Sequence, residues 1–152
     1  MKKFGLITLI LIYSCACSSN KTVDCSLVLC ATGDYINLEL IVDGENVISN
    51  GMYTEEDITV TGDVQENIQV QVFSNTIGTT SGLLEISNPD WGPEQYSYIV
   101  QLGNDWEFTF EVGFTVTNYP CCGDNLEIIS LTSNEVTIEH KRYSSFYTVI
   151  LN

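Results

Sequence analysis

From Trp106 to Thr117 the side chains alternate without a break: Trp106, Phe108, Phe110, Val112, Phe114 and Val116 share one parity. Glu107, Thr109, Glu111, Gly113, Thr115 and Thr117 take the other. Successive side chains of a strand point to opposite faces, so this pattern describes a strand with one packed face and one wet face. Antiparallel sheets are built from such strands. Gly113, inside so long a run, marks a bulge or bend.

Shorter segments repeat the period. Ile36, Leu38, Leu40 and Val42 share a face; so do Ile68, Val70 and Val72, then Tyr96, Tyr98, Val100 and Leu102, and Val136, Ile138 and His140. Further strands are expected at Ile58 to Thr61, Leu83 to Ser87, Leu126 to Leu131 and Phe146 to Leu151. Turn-forming residues separate them. Gly103-Asn104-Asp105 and Thr132-Ser133-Asn134 read as hairpin loops, Asp43-Gly44-Glu45-Asn46 as another turn, and Asn88 to Pro93 as a longer, stiffer loop. Thr54 to Asp57 has capping-box spacing with no amphipathic run behind it, room for one helical turn at most. Eight or nine strands predict an all-β, single antiparallel β-sandwich over residues 25–152, of immunoglobulin-like or transthyretin-like form. The alternative is an up-and-down barrel, which should meander more evenly than Leu38 to Thr61 does.

The first residues read as an address. Met1-Lys2-Lys3 is a positive start, and Phe4 to Tyr13 is an apolar run of ten residues. A bilayer span needs about 20, so the run suits a signal peptide. Ser14-Cys15-Ala16-Cys17-Ser18-Ser19 follows and resembles the bacterial lipobox. Small Ala16 before it makes Cys17 the expected lipidated residue; Cys15, behind bulky Tyr13, is the alternative. Residues 1–16 are then the signal peptide and 17–24 a tether. After cleavage only Lys21, Lys141 and Arg142 face 20 acidic residues. So acidic a body is repelled by anionic lipid, and acyl chains must hold it at a membrane. The same charge excludes nucleic acid as a partner, because no basic surface can displace phosphate counterions.

Cleavage before Cys17 leaves Cys25, Cys30, Cys121 and Cys122, an even set for an oxidising compartment. A Cys121–Cys122 bridge would need a strained vicinal ring. The two remaining pairings both tie the Cys25/Cys30 region to the Cys121-Cys122 dipeptide, and either is open. A bridge such as Cys30–Cys121 closes a loop of about 90 residues, an upper figure of about 4.6 kcal/mol in chain entropy. Formation of a single bridge is the lesser alternative; a four-cysteine zinc site fits poorly, since vicinal sulfurs cannot easily meet one ion.

This layout resembles that of small envelope lipoproteins of the Bacteroidota: a lipidated Cys17, the close pair in Cys25-Ser26-Leu27-Val28-Leu29-Cys30, a strand such as Tyr35 to Val42, and a late vicinal Cys121-Cys122 followed by strands. The resemblance implies a lipid-anchored envelope protein, held by palmitate-type acyl chains at the outer membrane. Ser18-Ser19-Asn20-Lys21 lacks the acidic export signal of many such proteins, which leaves the periplasmic and surface sides both open.

For chemistry the pattern is sparse. His140 is the one histidine, so any Ser-His-Asp hydrolase must use it; on a strand end it reads as a packed or edge residue. Asp43, Glu45, Asn46, Asp57 and Asp63 supply oxygen ligands in loops and are the weak calcium candidates, although no EF-hand spacing appears. Trp91, in a Pro-flanked loop, could stack on a sugar or anchor a protein, with Tyr119, Tyr143 and Tyr147 near loops or strand ends. The competing reading folds Trp91 over the end of the sandwich. The expectation is therefore a non-enzymatic, lipid-anchored interaction or structural module without a cofactor, its partner the membrane and a protein or glycan. A carbohydrate-binding lipoprotein is the alternative, and a hydrolase ranks last.

Overall fold

A computed structural model describes residues 24–30, 34–74, 82–140 and 146–152. The signal peptide, Cys15 and Cys17, the tether as far as residue 23 and Tyr143 lie outside the described residues. Two sheets pack face to face. The strands are β1 (Tyr35–Val42), β2 (Glu45–Asn46), β3 (Ile58–Gly62), β4 (Gln69–Phe73), β5 (Leu83–Ser87), β6 (Gln95–Leu102), β7 (Trp106–Tyr119), β8 (Gly123–Thr132), β9 (Thr137–His140) and β10 (Tyr147–Leu151). One sheet has the order β4-β5-β1-β10-β9, with β2 added beside β1; the other is β3-β6-β7-β8. The architecture is a β-sandwich, and the barrel alternative is set aside because the two sheets are separate. Each of the nine expected segments forms a strand; the tenth, β2, is two residues long.

Alternation explains the core. In β6, Tyr96, Tyr98, Val100 and Leu102 are buried, and they meet Phe108, Phe110, Val112 and Phe114 of β7. Ile36, Leu38 and Leu40 of β1, Leu84 and Ile86 of β5, and Val149 and Leu151 of β10 close the core from the opposite sheet. Large apolar side chains removed from water by two facing sheets are the main stabilising term of such a fold.

Local chemistry sets the turns. Asp43 (φ 50°) and Gly44 (φ 82°) form a two-residue hairpin between β1 and β2; positive φ at both central residues matches the right-handed twist of the strands. The capping box yields a single 3-10 turn, Glu55–Asp57, where the Asp57 carboxylate accepts the Thr54 N–H at 2.9 Å and hydroxyl at 2.8 Å. Those two bonds hold the Asp57 carboxyl below its ordinary range. The bend expected at Gly113 is present: the β7–β8 register shifts between Gly113 and Phe114. A Cβ on Gly113 would sit 2.6 Å from Ser130 Oγ, so any larger residue must push that hydroxyl aside.

The antiparallel sandwich is present, with three departures in detail. One pair in it is parallel, β1 with β10, Leu38 opposite Tyr147 through Val42 opposite Leu151. Strands so far apart in the chain can lie side by side in either direction, and alternation is blind to direction. Second, Thr132-Ser133-Asn134 is no hairpin loop but carries the chain from one sheet to the other. The Ser133 hydroxyl donates to Thr109 O at 2.5 Å, and Glu135 accepts the Thr109 N–H at 2.6 Å. Together they serve the backbone groups of β7 that lie beyond the end of β8, and so turn the chain away. Third, Val116 shares parity with the buried phenylalanines yet is exposed, the buried run of β7 ending at Phe114.

Candidate functional site

The sandwich is stapled at one end. Cys25 bonds Cys121 and Cys30 bonds Cys122, with Cα–Cα separations of 5.3 and 5.4 Å. Of the two open pairings the order-preserving one forms, and all four sulfurs are committed, which removes the zinc alternative. The acceptor is the tip of the β7–β8 hairpin, where Pro120, Cys121 and Cys122 make a three-residue loop closed by the Cys122 N–H to Tyr119 O bond. Gly123, at φ 75°, takes the left-handed position that such a loop requires. Vicinal cysteines thus suit the tip of a hairpin: one dipeptide receives two bridges from a segment whose cysteines lie five apart.

Two adjoining recesses lie beside the staple. One, of about 310 Å³, is lined by Leu29, Cys30, Asp34, Tyr119, Cys122 and Glu127 among others. The second, of about 400 Å³, shares Asp34, Leu126 and Glu127 with it and adds Tyr35, Phe114, Ile128, His140 and Tyr147. Residues far apart in the chain meet here because β1 lies beside β10 in one sheet while β8 ends the other. His140 and Tyr147 are a cross-strand pair, their rings stacked at 4.6 Å with 25° between planes. Burial pushes the Tyr147 phenol up from its ordinary value.

Glu127 is the best-held carboxylate of the recess. It accepts hydrogen bonds from the Tyr119 hydroxyl and, at 2.7 Å, from Thr117 Oγ1. The Tyr119 bond first, then the Thr117 bond, keep its carboxyl below the ordinary range, while the bond to Glu127 raises Tyr119. A carboxylate so fixed is an ionised hydrogen-bond acceptor at neutral pH and not a general acid. Tyr119 is the ring that bonds it directly, while Tyr35, His140 and Tyr147 line the second recess. The arrangement can accept hydroxyl or ammonium donors and stack on a flat or ring-shaped group.

Of the residues singled out from the sequence, Tyr147, Tyr119 and His140 come together here. Trp91 does not: of its two readings, the presented ring is corrected and the inward-folded ring is the one found. It is 8 % exposed, its Nε1–H donates to Tyr98 Oη at 2.6 Å, and its ring packs 4.9 Å from that of Phe114. The indole is folded into the core. The loop that carries it is itself pinned, since buried Asn88 donates to Val64 O at 2.9 Å and Glu66 O at 3.1 Å and accepts the Asp90 N–H at 2.8 Å.

The calcium candidates do not converge either. Asp43 sits in the β1–β2 turn and Glu45 opens β2, and Asn46 is spent on the backbone of Ile48, Ser49 and Gly82. Asp57 holds its 3-10 turn, and Asp63 accepts the Ser97 N–H at 2.8 Å. Among the described residues no group of three or more His, Cys, Asp or Glu is placed to hold a metal ion. The hydrolase reading needed a Ser and an Asp at His140; Asp34 lines the same recess, and no described serine does.

Asp34, Tyr35 and Glu127 were not singled out from the sequence. No spacing could have found them, because the recess joins the start of β1, the middle of β8 and the β9–β10 pair. Fold and site together define a disulfide-stapled β-sandwich with an acidic, aromatic-walled recess beside the staple. No family model, no curated protein and no solved structure matches the chain. Among the described residues no helix is long and apolar enough to cross a membrane.

Proposed function

We propose that this chain is a lipid-anchored protein of a bacterial cell envelope, a small outer-membrane lipoprotein of Bacteroidota type, whose sandwich acts as a binding or structural module and not as an enzyme. The observation that carries the reading is the double staple. Paired disulfides belong to oxidising compartments, and these two begin eight residues after Cys17, where a lipid-held tether would transfer its load to the body. Acyl chains at Cys17 answer the problem set by 20 acidic residues against 5 basic ones, which leaves charge unable to hold the body on a membrane.

The test is metabolic labelling with a clickable fatty acid in a bacterial host. Wild type and Cys15→Ser take up label, and Cys17→Ser loses all of it. Label kept by Cys17→Ser moves the anchor to Cys15; no label on any form removes the lipid anchor altogether.

A second reading, glycan binding, is favoured by the recess that Tyr35, the stacked Tyr147–His140 pair, Asp34 and Glu127 line together. Sugar rings stack on aromatic faces and give hydroxyl hydrogens to carboxylates. On a glycan array, wild type then shows a signal that falls at least about tenfold in Tyr35→Ala, the loss of one good stacking contact. Tyr35 is exposed, so the fold survives the change. A wild-type protein silent across the array ends this reading.

A further inference from the structure

The segment between the first two body cysteines turns its apolar side chains outward. Leu27 is 93 % and Leu29 97 % exposed, with Val28 between them at 46 %. Other exposed large apolar residues, such as Met52, Ile99 and Ile129, stand singly in the sequence, which is ordinary for a protein surface. Three in a row, two of them almost fully presented, are not ordinary. Nor is the segment a loose end. It is bridged on both sides, Cys25 to Cys121 and Cys30 to Cys122, and carries its own turn, Val28 N–H to Cys25 O at 3.2 Å and Ser26 N–H to Asp24 Oδ1 at 3.0 Å.

We propose that Leu27-Val28-Leu29 is a membrane-seating tip, a rigid apolar knuckle that enters the boundary between lipid headgroups and acyl chains. The inference rests on the reading that Cys17 is lipidated, and says what the stapled end then meets. Seven residues lie between Cys17 and Cys25, and the eight steps that join them reach at most about 29 Å even when fully extended. A lipid on Cys17 therefore delivers the knuckle to the bilayer. From Cys25 to Cys30 the segment bears no charged side chain, whereas Asp24 and Asp34 flank it and stay on the water side. The charge of the rest of the body disfavours a second copy of the chain as the occupant, since like bodies repel. Each leucine that enters hydrocarbon strengthens attachment about tenfold or more, and a two-sided hold, acyl chains plus knuckle, fixes the tilt of the body as lipid alone cannot.

The experiment uses the full lipidated chain reconstituted in phosphatidylcholine vesicles, with and without bromine on the acyl chains. A Leu27→Trp reporter is compared with Ile129→Trp, both against the shared background of Trp91 and Trp106. Ile129 is 67 % exposed and lies about 20 Å along β8 from the hairpin tip. Brominated lipid is expected to quench more than half of the emission added by Leu27→Trp and none of that added by Ile129→Trp. In parallel, Leu27→Ser/Leu29→Ser should transfer between vesicles at least about tenfold faster than wild type. Such exposed positions leave folding intact. If mass spectrometry shows acyl chains on Cys17 and the Leu27→Trp emission is unquenched, the knuckle is overturned and the anchor stands. Quenching replaced by a spectral shift that follows protein density in the vesicle assigns the knuckle to a second copy and overturns it too. A chain without acyl mass that fails to float with vesicles overturns the anchor and the knuckle together.

Discussion

Removing both bridges is expected to cost about three times as much stability as removing either one. With sequence separations of 96 and 92 residues, either bridge alone restricts the unfolded chain by about 4.6 kcal/mol. Once one is closed, the other closes a ring of only about six residues through the two short cysteine segments, which contributes about 2 kcal/mol. Loss of Cys25–Cys121 or of Cys30–Cys122, each removed as a double serine variant, should therefore lower stability by about 2 kcal/mol. The four-serine variant should lose about 7 kcal/mol. Domains of this size hold about 5–15 kcal/mol in all, so the four-serine chain stands at the margin of folding. Urea titrations of the three variants measure this. Equal, additive losses of about 4–5 kcal/mol for each bridge would show that the two loops are not nested as the staple requires. Intact mass gives the companion check, a deficit of four hydrogens in the oxidised body.

Phe110→Ala is expected to cost about 3–5 kcal/mol, the largest effect of any single substitution in β7. Phe110 is fully buried between the sheets, its ring 5.7 Å from that of Tyr98 and 6.5 Å from that of Phe108. Its neighbours belong to paired strands that cannot close over the hole, so the cavity term adds to the lost transfer energy. Val116→Ala, at the same parity six residues on but exposed, should stay within about 0.5 kcal/mol. Thermal or chemical melts of the two variants read the difference. A comparable cost for both would mean that the packed layer continues past Phe114.

That contrast also marks what alternation reveals and where it stops. The period of two found β6 and β7 because every second residue there is large and apolar and both strands lie mid-sheet, with a packed layer opposite. It could not show where the opposite layer ends, so Val116 read like Phe110. It was silent on direction, so the parallel β1–β10 pair was invisible, and with it the recess those strands help to wall. Trp91 stayed open between two readings because its neighbours Pro89, Asp90, Gly92 and Pro93 look like a solvated turn; the acceptor that draws the indole inward, Tyr98 Oη, sits on the following strand. The cysteines were legible as a set because spacing alone excluded a vicinal bridge, yet only the hairpin at Pro120 decides which sulfur meets which. Asp34 and Glu127 had no local signature at all, being two acids among twenty until the fold brings them to one cavity.

The parallel pairing of β1 with β10 sets the order in which the molecule can be completed. β1 is an interior strand of its sheet, and one of its flanks is supplied by the last described strand, Leu38 lying opposite Tyr147. Until Tyr147 to Leu151 arrive, the earliest strand keeps a row of unmatched amides and carbonyls, and contacts of such long span form slowly. A chain emerging vectorially from a ribosome or a translocation pore is thus kept from closing prematurely by its own topology, and commits to the shape of this sheet only once Tyr147 to Leu151 have passed.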